Sequence, residues 1–155
     1  MKRILCCLIA ILMLSVTALS ETSANTVRLE FENGFSLSLP SDWGSFAVSP
    51  ELKEAGFIYC LGSADAAQLM YIQNLEGEYA NFDALQAVFE TRPEIVLRST
   101  VEAASGRPFL LYNFAEEDCS GCAALYEGSV INLLFMPRSD ADFMLTAAAI
   151  IDSAN

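Results

Sequence analysis

Apolar and polar residues alternate along 26–31, placing Val27, Leu29 and Phe31 on one face, and alternate again along 35–39 before Pro40. Asn33-Gly34 lies between the two runs and is a strong short turn signal, so the pair is expected to form a β-hairpin. Ser41-Asp42-Trp43-Gly44 reads as a turn that delivers the chain's one tryptophan onto the core. Residues 50–55 hold a short helical turn at most. Residues 57–61 and 69–75 read as strands joined by a tight turn at 63–67. In the second of these, Met70 and Ile72 face one side while Leu69, Tyr71 and Leu75 face the other, as in a central strand covered on both sides.

The period then changes. Asn81 is placed to cap a helix, Asp83 suits its first turn, and Phe82, Leu85, Val88 and Phe89 recur at helical spacing until Pro93. An amphipathic helix packed on a sheet is expected. Four strands follow at 94–103, 107–115, 122–126 and 129–136, with tight turns at Ser105-Gly106 and Glu127-Gly128 and a longer connection at 116–121. After Pro137, Ser139 with Asp142 three residues on resembles a capping box. The helix it would open runs to about residue 153 and buries Phe143, Ala147, Ile150, Ile151 and Ala154. No internal repeat or interior linker divides the chain, and one α+β domain over 21–155 is expected.

The first 20 residues stand apart. Lys2 and Arg3 precede an apolar run from Ile4 to Leu14, and Ala18-Leu19-Ser20 fits a signal-peptidase cut after Ser20, with a second possible cut after Ala24. A membrane span needs about 20 apolar residues, and this run reaches only 16 even when Ser15 and Thr17 are counted. A cleaved leader, an extracytoplasmic location and no lasting membrane anchor are therefore expected. The leader also inflates the 54% hydrophobic content of the whole chain.

Charge narrows the partners. The chain has eight basic residues against 20 acids, a net −12, and loss of Lys2 and Arg3 makes it −14. Nucleic acid, whose binding draws on neutralised phosphates, and anionic lipid surfaces are disfavoured. A protein or another cell-envelope ligand fits better. The sequence contains no histidine, which excludes Ser-His-Asp and Cys-His catalysis within the chain and His-ligated zinc. No Gly-x-Ser-x-Gly or phosphate-binding loop occurs, and no cofactor is implied.

Phe35-Ser-Leu-Ser-Leu-Pro-Ser-Asp-Trp43, Gly106-Arg-Pro-Phe-Leu-Leu-Tyr112, Tyr126-Glu-Gly-Ser-Val-Ile-Asn-Leu-Leu-Phe135 and the closing stretch from Phe143 to Ser153 form a recognisable set. Together they resemble the PsbP-like α/β/α sandwich family. The resemblance implies a largely antiparallel sheet flanked by helices and a habit of protein binding. It carries over no catalytic residues.

Two local features offer chemistry. Cys119-Ser-Gly-Cys122 has the spacing of a redox pair, yet Glu116, Glu117 and Asp118 directly before it would raise a thiol pKa. A short structural disulfide between Cys119 and Cys122 is the favoured reading, and a thiol–disulfide protein using that pair is the alternative. Cys60 leaves the count odd, either as a buried hydrophobe or as a partner of one of the two. Glu116, Glu117 and Asp118, with Trp43, are the candidate binding residues. A non-catalytic exported domain that binds through a sheet face or loop edge is expected.

Overall fold

The computed structural model describes residues 25–31, 34–75 and 79–155; the expected leader, both cut sites and Asn33 lie outside them. Along the chain come β1 (Thr26–Glu30), β2 (Ser36–Pro40), β3 (Gly44–Phe46), α1 (Pro50–Glu54), β4 (Phe57–Gly62) and β5 (Leu69–Leu75). Then follow α2 (Phe82–Glu90), β6 (Ile95–Glu102), β7 (Pro108–Phe114), β8 (Ser120–Tyr126), β9 (Ser129–Met136) and α3 (Ala141–Asp152).

Seven strands pair in the order β3-β4-β5-β9-β8-β7-β6, every neighbour antiparallel. After β5 the chain crosses by α2 to the far edge of the sheet, and the meander β6 to β9 returns until β9 pairs with β5. β1 and β2 form a separate two-stranded sheet, with Val27 opposite Leu39 and Leu29 opposite Leu37.

Two cores follow, one on each face of the large sheet. On the first, Phe35, Leu37 and Leu39 of the hairpin and Phe143, Ala147 and Ile150 of α3 pack onto Met70, Ile72, Leu133 and Phe135. On the second, Leu85 and Phe89 of α2 pack with Leu110, Tyr112, Val130 and Leu134, flanked by Tyr71 and Leu75. β5 thus divides its side chains as its sequence predicts. Full burial of an aliphatic or phenyl side chain is worth about 1.5–3 kcal/mol, so Leu85 and Phe89 are the main anchors of α2, with Phe82 packed beside them. Val88, counted in the same stripe, is instead 38% exposed.

Caps explain where the helices begin. Asn81 Oδ1 accepts the Ala84 N–H at 2.9 Å, as its position predicts. At α3 the cap is not Ser139 but Asp140, whose Oδ1 accepts the Phe143 N–H at 3.0 Å and whose Oδ2 takes Gln68 Nε2 at 2.9 Å. Ser139 is committed elsewhere, as described below. Two further features depart from the sequence pattern. β3 adds a short strand beyond the Trp43 turn, pairing Gly44–Phe46 with Cys60–Gly62. β6 carries a bulge, since Leu97 sits opposite Tyr112 and Ser99 opposite Leu111, leaving Arg98 as the extra residue.

The last residues of the chain are sewn to the hairpin. Ser38 N donates to Ser153 Oγ at 2.8 Å, Asn155 N donates to Ser36 O at 3.1 Å, and the Ser36 hydroxyl donates to Asn155 Oδ1.

Candidate functional site

Three of the four residues of Cys119-Ser-Gly-Cys122 open a strand of the sheet, with Cys119 directly before it. β8 begins at Ser120, two residues before the expected start, and residues three apart on a strand point to opposite faces. Cys119 accordingly belongs to the α2-side core and Cys122 to the α3-side core. The expected disulfide is therefore corrected: both thiols are free, with the sheet between them. Cys60 is also free and buried. It lies on β4, three strands from β8, or about 14 Å at normal strand spacing. A disulfide needs Cα atoms within about 7 Å.

The thiols are also poor nucleophiles. Burial, with Glu117 adding to it, pushes the Cys119 pKa up to about 12. Burial alone drives Cys122 further up, and it raises Cys60 against a hydrogen bond with Tyr71.

What the segment supplies is a gap for an aromatic ring. Tyr112 lies across β8 at Gly121, its cross-strand neighbour, where a Cβ would sit 2.2 Å from Tyr112 Cζ and 2.5 Å from its hydroxyl. The ring passes over the glycine, and its hydroxyl donates to Asn132 Oδ1 at 2.7 Å. Asn132 Nδ2 donates to Gln73 Oε1 at 2.9 Å, and Gln73 Nε2 to Ala55 O at 2.7 Å. A line of polar groups thus crosses the sheet under α2, which satisfies the buried Asn132. Burial raises the Tyr112 pKa and keeps it a neutral donor.

The acidic run forms the β7–β8 connection. Asp118 Oδ1 accepts the Ser139 N–H at 2.8 Å, Oδ2 accepts the Ser139 hydroxyl at 2.5 Å, and Arg138 Nε lies 4.0 Å from Oδ1. Asp118 therefore pins the link from β9 to α3. Glu116 and Glu117 stay exposed and line a shallow recess with Pro93 and Phe114. Trp43 packs on the α3-side core, its ring centroid 6.0 Å from that of Phe143. Trp43 lines neither of the recesses that Glu116 and Glu117 line, so these four candidates do not form one site. No group of three or more Cys, Asp or Glu among the described residues is placed to hold a metal.

A different set converges. Between α3 and the β6–β8 end of the sheet lies a groove of about 520 Å³. Met144, Ala147, Ala148 and Ile151 line it from α3 at one-face helical spacing, while Leu111 and Phe135 line it from the sheet. Its polar side chains include Arg98, Ser99, Asn113, Ser120 and Arg138, and no carboxylate or thiol among the described residues lines it. The β6 bulge turns both Arg98 and Ser99 to this side. Arg98 is exposed and makes no hydrogen bond or ion pair among the described residues. Arg138 is anchored by Nη1 to Phe114 O at 3.0 Å, beside Asp118. Ser120 Oγ donates to Asn113 Oδ1 at 2.8 Å, leaving the Asn113 amide nitrogen unpartnered among the described residues.

The groove is absent from the sequence-level candidates. Leu97 and Val101, four residues apart, would share a face on a regular strand, and the run Ile95-Val-Leu-Arg-Ser-Thr-Val101, three apolar residues then three polar ones, has no alternation from which to place the bulge that sends them to opposite cores.

No family profile matches the chain, and no curated protein does. Among solved structures, cyanobacterial PsbP from Synechocystis sp. PCC 6803 is similar, with a TM-score of 0.54 at 12% identity over 91% of this chain and 98% of that one. The strand order, the helix on one face, the helix and hairpin on the other, and this likeness together give the chain a PsbP-like α/β/α sandwich fold.

Proposed function

We propose that this chain is an exported, non-catalytic binding domain that holds a protein or another extracytoplasmic ligand in the groove between α3 and β6–β8. The observation that carries the reading is the groove itself, an apolar floor with donor-bearing side chains turned toward it by a bulge. Its volume of about 520 Å³ falls in the range of small-ligand sites. Export rests on the leader at 1–20, with Lys2, Arg3, the apolar run and the cut after Ser20. No helix of the described residues is long and apolar enough to cross a membrane. The non-catalytic reading rests on a sequence without histidine and a groove that no carboxylate or thiol among the described residues lines.

Use of Cys119 and Cys122 as a thiol–disulfide pair has no such support, because their side chains lie on opposite faces of the sheet.

Native mass spectrometry of the protein recovered from its producing cells tests both parts. A mass beginning at Glu21 is expected, together with a non-covalent adduct that is lost in Ala148→Phe, which fills the groove from the exposed side of α3. An intact leader removes the export reading. An adduct-free spectrum, or one unchanged by Ala148→Phe, removes the groove.

A further inference from the structure

We infer that the groove between α3 and β6–β8 takes a single-chain amphiphile bearing one carboxylate, its head between Arg98 and Arg138 and its alkyl chain along α3. This rests on the binding role proposed above and names the ligand's chemistry.

Charge makes the first argument. Residues 21–155 carry six basic side chains against 20 acids, yet two of those six line this groove and none of the acids among the described residues does. Over a surface so rich in carboxylates, the groove is a place where an anion meets donors, and the carboxylate paired with one of its arginines among the described residues is Asp118. Arg98 has its whole guanidinium to offer, and the Asn113 amide and the Ser99 hydroxyl add neutral donors.

The amount of positive charge sets the head group. Asp118, 4.0 Å from Arg138 Nε, already offsets part of that cation. What remains is between one and two positive charges, which matches a singly charged carboxylate, for which the arginine fork has the right geometry. A dianionic phosphate would be left under-compensated.

The rest of the groove sets the body. Arg138 lies just before α3, and the helix then presents Met144, Ala147, Ala148 and Ile151 to the groove. From Met144 to Ile151 the helix advances about 10 Å at its usual rise, the reach of a medium alkyl chain. Two alanines in the middle leave the floor open where larger side chains would close it.

The bulge connects these parts. Without it, Arg98 and Ser99 would point to opposite faces of β6; with it, both turn toward α3. A bulge carrying a cation also protects an edge strand from pairing with other chains, and this simpler role is one outcome of the test.

The experiment is calorimetric titration of the purified protein with decanoate, decanol and acetate, followed by decanoate and decanol against Arg98→Met. Arg98 makes no contact that the substitution would break, so the variant is expected to fold as the parent does. Saturable binding of decanoate is expected, at least tenfold tighter than decanol, with acetate undetected. Arg98→Met is expected to weaken decanoate at least tenfold and leave decanol unchanged. Methyl NMR of Met144 is expected to shift with decanoate and not with acetate. The inference falls if decanoate does not bind at low millimolar concentration. It falls equally if decanol binds as well as decanoate, or if Arg98→Met changes nothing, in which case Arg98 serves only as an edge guard. A groove-dependent adduct in the native mass spectrum together with failure of decanoate would overturn the ligand class and keep the binding role; absence of both would remove the two together.

Discussion

Gly121→Ala puts the reading of the Cys119–Cys122 segment at risk. An added Cβ would stand 2.2 Å from Tyr112 Cζ and 2.6 Å from its Cε2, so the ring must move. Overpacking of this kind costs about 1–3 kcal/mol. The displaced hydroxyl also abandons Asn132, which is only 4% exposed, and a buried amide left unpaired costs about 1–3 kcal/mol. The edge-on contact of Tyr112 with Phe89, at 5.2 Å between centroids, is disturbed as well. Replacing glycine in a strand returns about 0.5–1 kcal/mol through the unfolded chain. The net cost is about 3 kcal/mol. With an unfolding entropy of about 2.1 cal/mol/K per residue over roughly 130 residues, the midpoint should fall by about 10 °C. Urea and thermal unfolding followed by circular dichroism measure it. A second background isolates the cause: in Tyr112→Leu, which removes the ring from above the glycine, Gly121→Ala should cost less than about 1 kcal/mol. A midpoint change under about 2 °C in the parent, or an equal cost in both backgrounds, would refute the idea that this glycine exists to let the ring pass.

Other consequences are open to measurement. Cys60, Cys119 and Cys122 should resist Ellman's reagent in the folded protein at pH 8 and all react in guanidinium; rapid native labelling, or a Cys119–Cys122 bond found by mass spectrometry, would contradict their placement. Their raised pKa values contribute stability that is complete below the ordinary thiol value of 9.0 and is lost as pH rises toward about 12, so the urea midpoint should decline across that alkaline range. The Asp140 carboxyl is held below its ordinary 3.8 by the Phe143 N–H and then Gln68, so its contribution is present above that value and lost as pH falls through the depressed folded pKa. Asp140→Ala should accordingly lower the melting midpoint at pH 7, with the gap to the parent closing on acidification. Asp118→Ala removes both Ser139 bonds and the Arg138 ion pair; a loss of about 1–2 kcal/mol is expected from urea titration, and none at all would mean the β9–α3 link needs no pin.

Much of the architecture was legible because packing and local pattern agree. Met70 and Ile72 against Tyr71 and Leu75 announced a strand covered on both faces, and β5 is that strand. Asn81 announced a helix start by side-chain chemistry alone. Where two local solutions compete, sequence does not choose between them. Ser139 and Asp140 are both good caps, and the decision belongs to Asp118, 21 residues earlier, which takes both polar groups of Ser139. Cysteines three apart suit a redox turn or a strand equally well, and the two extra residues of β8 settle the matter by pairing Ser120 with Asn113 and Phe135. The groove was hidden for a different reason. A bulge rotates everything beyond it, and three apolar residues followed by three polar ones at 95–100 give no alternation to show where that happens, so neither Arg98 nor its relation to Arg138 is marked in the string of residues.

The stitching of Ser153 and Asn155 onto Ser38 and Ser36 joins positions 115 to 119 residues apart. A segment early in this sequence is therefore fastened by one much later. Until the final turn of α3 arrives, the opening hairpin has only its own five paired rungs and an unfinished apolar bed to rest on, and a lone hairpin is marginal in water. Closing so long a loop late makes assembly slow relative to a chain of local contacts. Docking of the hairpin therefore waits on residues 153–155.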